Sequence, residues 1–286
     1  MMQALVVQRD IVRDLARFDY LARRVQLLQL GHSPGAIRRG VSAGSILSPR
    51  RGWLCTSDAP TDASRAVQLG GRLGGSSALR SYGVWADETD LIVATPSNAS
   101  RLPALNRGER RVWLDDRFPQ ISDRQWRVSV LDALLQHASL VDRPSLVASV
   151  DSALNSRQLT PASFAKLIET LPAHLRRIRH DVDGRSMSGT ESKLRLACIA
   201  AGLRVELQAS IDRVGLVDLL VDGWLIVEVD SRQFHDEQIA QHRDRVRDGN
   251  AVLGNYGNLR FDYQLVQFEL DWCIEVILVR LKSGRP

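Results

Sequence analysis

Asp218, Glu228, Asp230 and His235 crowd into one stretch, LVDLLVDGWLIVEVDSRQFHD, in which two apolar runs are joined by Asp222-Gly223. Ionised carboxylates gathered on the same side of a half-buried sheet repel one another, and burying them without partners is costly. A divalent cation resolves the conflict. Oxygen ligands of this kind suit Mg²⁺, which takes one or two carboxylates and keeps room for water and phosphate. A histidine beside such a site, with an ordinary pKa near 6.5, suits proton transfer from water. Equally open from spacing alone is a set of solvated strand acids, or acids paired with arginines such as Arg232 and Arg243. A lone histidine after a strand is, by itself, more often a hydrogen-bonded structural residue.

The elements that must position these groups follow from the pattern. Leu216 to Val221 and Leu225 to Val229 read as two strands, and Asp222-Gly223 is a strong hairpin signal. A two-residue loop would pair Asp218 with Val227 and mix apolar and acidic side chains on both faces. A three-residue loop, with Gly223 supplying positive φ, pairs Asp218 with Glu228 and Leu216 with Asp230. That register puts Val217, Leu219, Val221, Leu225, Val227 and Val229 on one apolar face and Asp218, Glu228 and Asp230 on the other, so it is the expected one. Ser188-Gly189-Thr190-Glu191 opens a helix toward Leu203 and fits the S-x-x-E capping box, which gives Glu191 a structural explanation. A helix from about Glu237 to Leu253 carries Asp244 and Asp248 one turn apart, with Arg243, Arg245 and Arg247 interleaved. Leu259-Arg260-Phe261 reads as a later core strand, and Gln264 to Leu281 as a final helix.

The order Glu191, Asp218, Glu228-Val229-Asp230, His235 resembles the PD-(D/E)XK nuclease superfamily. VDLLVDGWLIVEVDSRQFH, followed by HRDRVRD and NLRFDY, is similar more closely to the Vsr branch of very-short-patch-repair endonucleases, over about residues 185–282. The resemblance implies a restriction-endonuclease-like mixed sheet flanked by helices. It also implies a metal held by Asp218, Glu228 and the Val229 carbonyl, with Mg²⁺ as the cofactor and Mn²⁺ as a substitute. His235 matches the branch's histidine, as base or phosphate contact, and Asp230 would be a second metal ligand or would orient His235. An acid on the preceding helix holds metal-bound water in such enzymes, which gives Glu191 a second reading. One arginine, Arg243 or Arg247, would reach phosphate. The chain departs from the superfamily where a lysine usually follows the acid by two positions, since Asp230 stands there and leaves the general base unassigned.

The remaining sequence fits a polyanion-binding protein. The 286 residues carry a formal charge of +5. Arginine greatly outnumbers lysine, and its planar fork suits phosphate. Cys55, Cys198 and Cys273 lie far apart with no C-x-x-C spacing, which argues against a disulfide framework or a zinc ribbon and for a reducing cytoplasm. No 18-residue apolar run and no signal-peptide pattern occurs, so no membrane association is expected.

Residues 1–56 read as short helices and a small hairpin. Helices are expected over Val6 to Leu15 and Tyr20 to Leu30. Ser33 caps a third that starts at Pro34 and ends before Gly44. Ile46-Leu47-Ser48, Pro49-Arg50-Arg51-Gly52 and Trp53-Leu54-Cys55 form a wing. LGHSPGAIRRGVSAGSILSPRRGWL is similar to the N-terminal winged helix of AbiEi-type antitoxin proteins. That likeness implies a recognition helix over Ser33 to Ser42, Arg38 and Arg39 at the major groove or phosphate, and Arg50 and Arg51 gripping the DNA backbone. A small helical domain for protein contacts is the alternative.

Residues 57–183 are expected to be a mainly helical connecting domain. An extended linker spans Ser57 to Ser64, and a flexible glycine-rich turn spans Leu69 to Gly75. Short strands are expected at Leu91 to Ala94 and Arg111 to Leu114, with helices around Val128–Leu140, Leu146–Leu154 and Phe164–Leu171. His137 and His174 fall on helical patterns and read as structural. The fold expected is therefore α+β or α/β in three parts, 1–56, 57–183 and 184–286. The function expected is a winged-helix-targeted, metal-dependent DNA endonuclease, with a homodimer left open. The alternative is a non-catalytic DNA-binding regulator, or an antitoxin-like protein, built on a degenerate nuclease fold.

Overall fold

The computed structural model describes residues 11–113, 115–119, 124–230 and 238–285, with side chains from residue 245 onward in the last segment. The chain is mixed α and β. It forms two compact units, Met1–Val141 with Ala162–Leu171, and Asp142–Pro161 with Pro172–Pro286. Among the described residues, no helix is long and apolar enough to cross a membrane.

The described part of the first unit opens with a helix over residues 11–16 (α1), the start of the helix expected over Val6 to Leu15 lying outside the described residues, and continues with a strand Leu21–Arg23 (β1) and helices Arg24–Gln29 (α2) and Pro34–Ser42 (α3). A strand Trp53–Cys55 (β2) pairs antiparallel with β1, and Leu47 bridges Cys55 across the intervening turn. Ile11, Leu15, Ala22, Leu27, Ile37, Ile46 and Leu54 share one core. The start of α3 is written locally: the Ser33 hydroxyl accepts from the Ala36 N–H, and Pro34 occupies the first turn, where no N–H is needed. The helix expected over Tyr20–Leu30 is instead β1 followed by α2. Asp19 and Tyr20 both have positive φ, and that break sends the chain into a strand first.

The second half of this unit corrects two further expectations. The second half of the supposed linker is the start of helix Thr61–Gln68 (α4), whose Ala63, Ala66 and Val67 are fully buried at helical spacing. The supposed flexible turn is packed. It supplies strand Arg72–Leu73 (β3) and leads into helix Gly75–Ser81 (α5). A Cβ on Gly71 would sit 2.4 Å from the Ala94 carbonyl oxygen, so these glycines serve close backbone approach rather than mobility. Strands Leu91–Thr95 (β4) and Glu109–Trp113 (β5) pair parallel, and β3 joins β4 antiparallel. This segment therefore holds a three-stranded sheet besides its helices, which include Val130–His137 (α6). His137 is buried on α6, whereas His174 lies in a turn rather than on a helix.

The second unit is built on a four-stranded sheet: Val205–Ile211 (β6), Gly215–Val221 (β7), Leu225–Asp230 (β8) and Gly257–Asp262 (β9), in that spatial order. The first two pairings are antiparallel and β8–β9 is parallel. Helix Arg143–Asn155 (α7) belongs with this unit. Helix Pro161–Thr170 (α8) precedes Gly189–Ala200 (α9) in the chain. Leu207, Leu219, Val221, Leu225, Val227 and Val229 pack with Leu194 and Cys198 of α9 and with Val266, Cys273 and Ile277. A second core joins Ala209, Ile211, Val217 and Ile226 to Ala251 of helix Gln238–Leu253 (α10). The expected final helix is two, Tyr263–Phe268 (α11) and Leu270–Lys282 (α12), broken at Glu269.

Candidate functional site

The hairpin takes the odd register. Leu219 pairs with Val227, Leu220 with Ile226 and Val221 with Leu225, around a three-residue loop in which Asp222 and Gly223 have φ of 49° and 77°. Extended by one step, that register sets Asp218 opposite Glu228. The paired ladder ends before it gets there, and the Val229 N–H donates to the Asp218 carboxylate, Val229 N to Asp218 Oδ2, at 2.9 Å. Asp218 therefore sits where β7 and β8 part. Leu216 and Asp230 lie beyond the last paired residues. One part of the expected sorting needs correction: Val217 packs with Ala209 and Ile226, not with Leu219 and Val227.

A second acid joins from α9. The Ser188 hydroxyl accepts from the Glu191 N–H, and Glu191 Oε2 accepts from the Met187 N–H at 2.9 Å. The same Oε2 receives the Gln208 amide at 3.2 Å, and Gln208 Nε2 lies 3.5 Å from Asp218 Oδ1. Glu191 thus belongs both to the helix start and to the acid cluster. Burial, and then the neighbouring Asp218 charge, push its carboxyl up to about 7. Burial also raises Asp218, against the Val229 N–H and the Gln208 amide that hold it down.

Glu228, 8% exposed, is gripped on both oxygens. Arg247 on α10 reaches Oε1 at 2.7 Å, and Arg260, its register partner on β9, reaches Oε2 at 3.1 Å. Burial raises the Glu228 carboxyl while these two guanidinium groups pull it down. Arg247 also donates to the Val214 and Leu216 carbonyls, so its fork ties α10 to the β6–β7 edge as well as to Glu228. Arg260 is held in addition by Asp248 at 2.9 Å. Asp230 is exposed, and its charge raises both Asp218 and Glu228. His235 lies outside the described residues, as do the side chains of Arg243 and Asp244.

As donors for a hard cation, Asp218 and Glu191 fit best: Glu191 is buried and Asp218 half-buried, and the two are mutually repelling and bridged by a neutral amide. Glu228 fits only once its arginines let go. Among the described residues, no group of three His, Cys, Asp or Glu side chains is placed to hold a metal ion. Sequence reasoning missed Gln208 and Arg260. Neither carries a local signal, because one depends on an irregular backbone and the other on the parallel pairing of distant strands.

In the first unit Arg38 and Arg39 are exposed on α3, on the side away from buried Ala36, Ile37 and Gly40. Arg51 is exposed in the turn before β2, while Arg50 is partly withdrawn and donates to the Gln68 carbonyl at 3.1 Å. Compared with protein-family models and with curated proteins, the chain matches none.

Proposed function

We propose that the chain is a metal-dependent DNA endonuclease, with a Vsr-like PD-(D/E)XK domain over residues 184–286 and a winged helix over residues 1–56. The observation that carries this reading is the pairing of Glu191 and Asp218 across the Gln208 amide where two paired strands separate, with Glu228 and its two arginines close enough for the Asp218 charge to act on Glu228. Repelling carboxylates and guanidinium groups side by side suit a cation and a phosphodiester together. Asp218 and Glu191 would hold Mg²⁺ or Mn²⁺, with Glu228 and the Val229 carbonyl as further donors. When bound, such an ion polarises a phosphate and lowers the pKa of water. Asp230 and His235 would handle the proton, in place of the usual lysine. Arg260, together with Arg243 or Arg247, would steady the phosphate. Support for the winged helix is the order helix, strand, two helices, hairpin in residues 11–55, with Arg38, Arg39 and Arg51 outward.

The test is plasmid nicking in Mg²⁺ by the purified protein and by Asp218→Ala. Cleavage should vanish in the variant while its gel shift of the same DNA persists. Equal cleavage by the two proteins removes Asp218 from the chemistry. The double ion pair on Glu228 favours a second reading, in which the fold binds DNA as a regulator without cutting it. That reading predicts a gel shift from the wild type and no nicks in Mg²⁺ or Mn²⁺.

A further inference from the structure

Strand β6 changes its facing at one residue. Gln208 has φ of 50°, in the left-handed region that a non-glycine residue occupies only when its surroundings hold it there. On either side the pairing with β7 is regular, Leu207 with Leu219 and Ala209 with Val217. In an undisturbed strand, residues two apart share a face. Here Leu207 and Leu219 pack in one core, whereas Ala209 and Val217 pack in the other. The change of facing falls at the rung occupied by Gln208 and Asp218, where β7 also leaves β8.

This irregularity has a chemical consequence. It directs the Gln208 amide at two carboxylates from different elements, 3.2 Å from Glu191 Oε2 on α9 and 3.5 Å from Asp218 Oδ1 on β7. An amide NH₂ has two hydrogens and no charge, so it can serve both acids at once and fix the distance between them. A lysine or arginine there would neutralise the acids and compete with a cation. A strand without the local reversal would point the side chain at a core.

We infer that Gln208 is a positioning residue, whose left-handed backbone and amide set the separation of Glu191 and Asp218 for a divalent cation. This rests on the proposed reading of those two acids as cation ligands. Two properties of residue 208 are separable by substitution. Glycine tolerates the backbone conformation and removes the amide, whereas asparagine tolerates the backbone and keeps a shorter amide.

The experiment is Mn²⁺ binding by the full chain, read from the loss of the free-ion electron paramagnetic resonance signal, alongside thermal melting. Wild type, Gln208→Gly, Gln208→Asn and Asp218→Asn are compared. Gln208→Gly should bind Mn²⁺ about tenfold or more weakly, while melting at or above the wild-type temperature because left-handed strain is relieved. Gln208→Asn should recover part of the affinity, and Asp218→Asn should lose it. Wild-type affinity in Gln208→Gly overturns the inference, and so does a Gln208→Gly chain that no longer folds, since the role is then structural. A wild type that binds no Mn²⁺ removes the cation reading of the acids, and the positioning role goes with it.

Discussion

Glu191 Oε2 does two jobs, closing the first turn of α9 through the Met187 N–H and meeting Asp218 across the Gln208 amide. The Ser188 cap was legible, but the expected capping box forms only in half, because Glu191 accepts from the Met187 N–H rather than from that of Ser188. The raised carboxyl fixes a pH dependence. Its folded-state value near 7 lies above its ordinary 4.5, so between these values the folded chain keeps a proton that the unfolded chain has lost. Its contribution therefore favours the fold below about pH 4.5 and is lost as pH rises to 7. In chelator, Glu191→Gln should be more stable than wild type at pH 8 by about 3 kcal/mol and near parity at pH 4.5, measured by urea denaturation. A difference independent of pH would show that Glu191 is not held protonated by its surroundings. Gln208 was invisible beforehand, because nothing in a glutamine's identity announces positive φ.

At the scale of elements, α9 is fixed by a buried junction with α7. The Asp151 carboxylate, fully buried, accepts from the Ser192 hydroxyl at 2.7 Å, from Arg195 at 2.9 Å and from the Asp183 N–H at 2.7 Å. Burial pushes its carboxyl up to about 6, outweighing the pull of these donors. Ser192 is next to Glu191, so this junction sets where the acid stands. Asp151→Ala leaves Arg195 without its buried counter-charge and should destabilise the chain by about 3–5 kcal/mol in chemical denaturation. A loss under about 1 kcal/mol would mean that the junction relaxes into water. The glycines before α5 act by close approach instead. Gly71→Ala should lower stability by about 1–3 kcal/mol through the clash with the Ala94 carbonyl, and an unchanged melting temperature would contradict that packing. The hairpin register was readable because only one pairing sorts apolar from acidic side chains. The packed glycine turn was not, since close approach is set by β4, a segment with no local mark of its neighbour.

For the whole molecule, the positive balance and the exposed arginines of α3 belong to the proposed DNA contact. Arg38→Ala and Arg39→Ala should each weaken binding across unrelated DNA sequences and reduce the slope of log affinity against log salt by about 1. Unchanged slopes in both variants would take α3 away from the phosphates. Charge and arginine preference were plain from composition. The β-sheet within residues 57–183 was under-read because its first strand spans only Arg72–Leu73 and its parallel partners are separated by a long loop. The most direct measurement is anomalous diffraction from a crystal soaked in Mn²⁺. A peak within about 2.5 Å of carboxylate oxygens of Asp218 and Glu191 is expected, at ordinary coordination distance. A fully loaded crystal with Mn²⁺ elsewhere and none at Asp218 would contradict the cation site on which the nuclease reading stands.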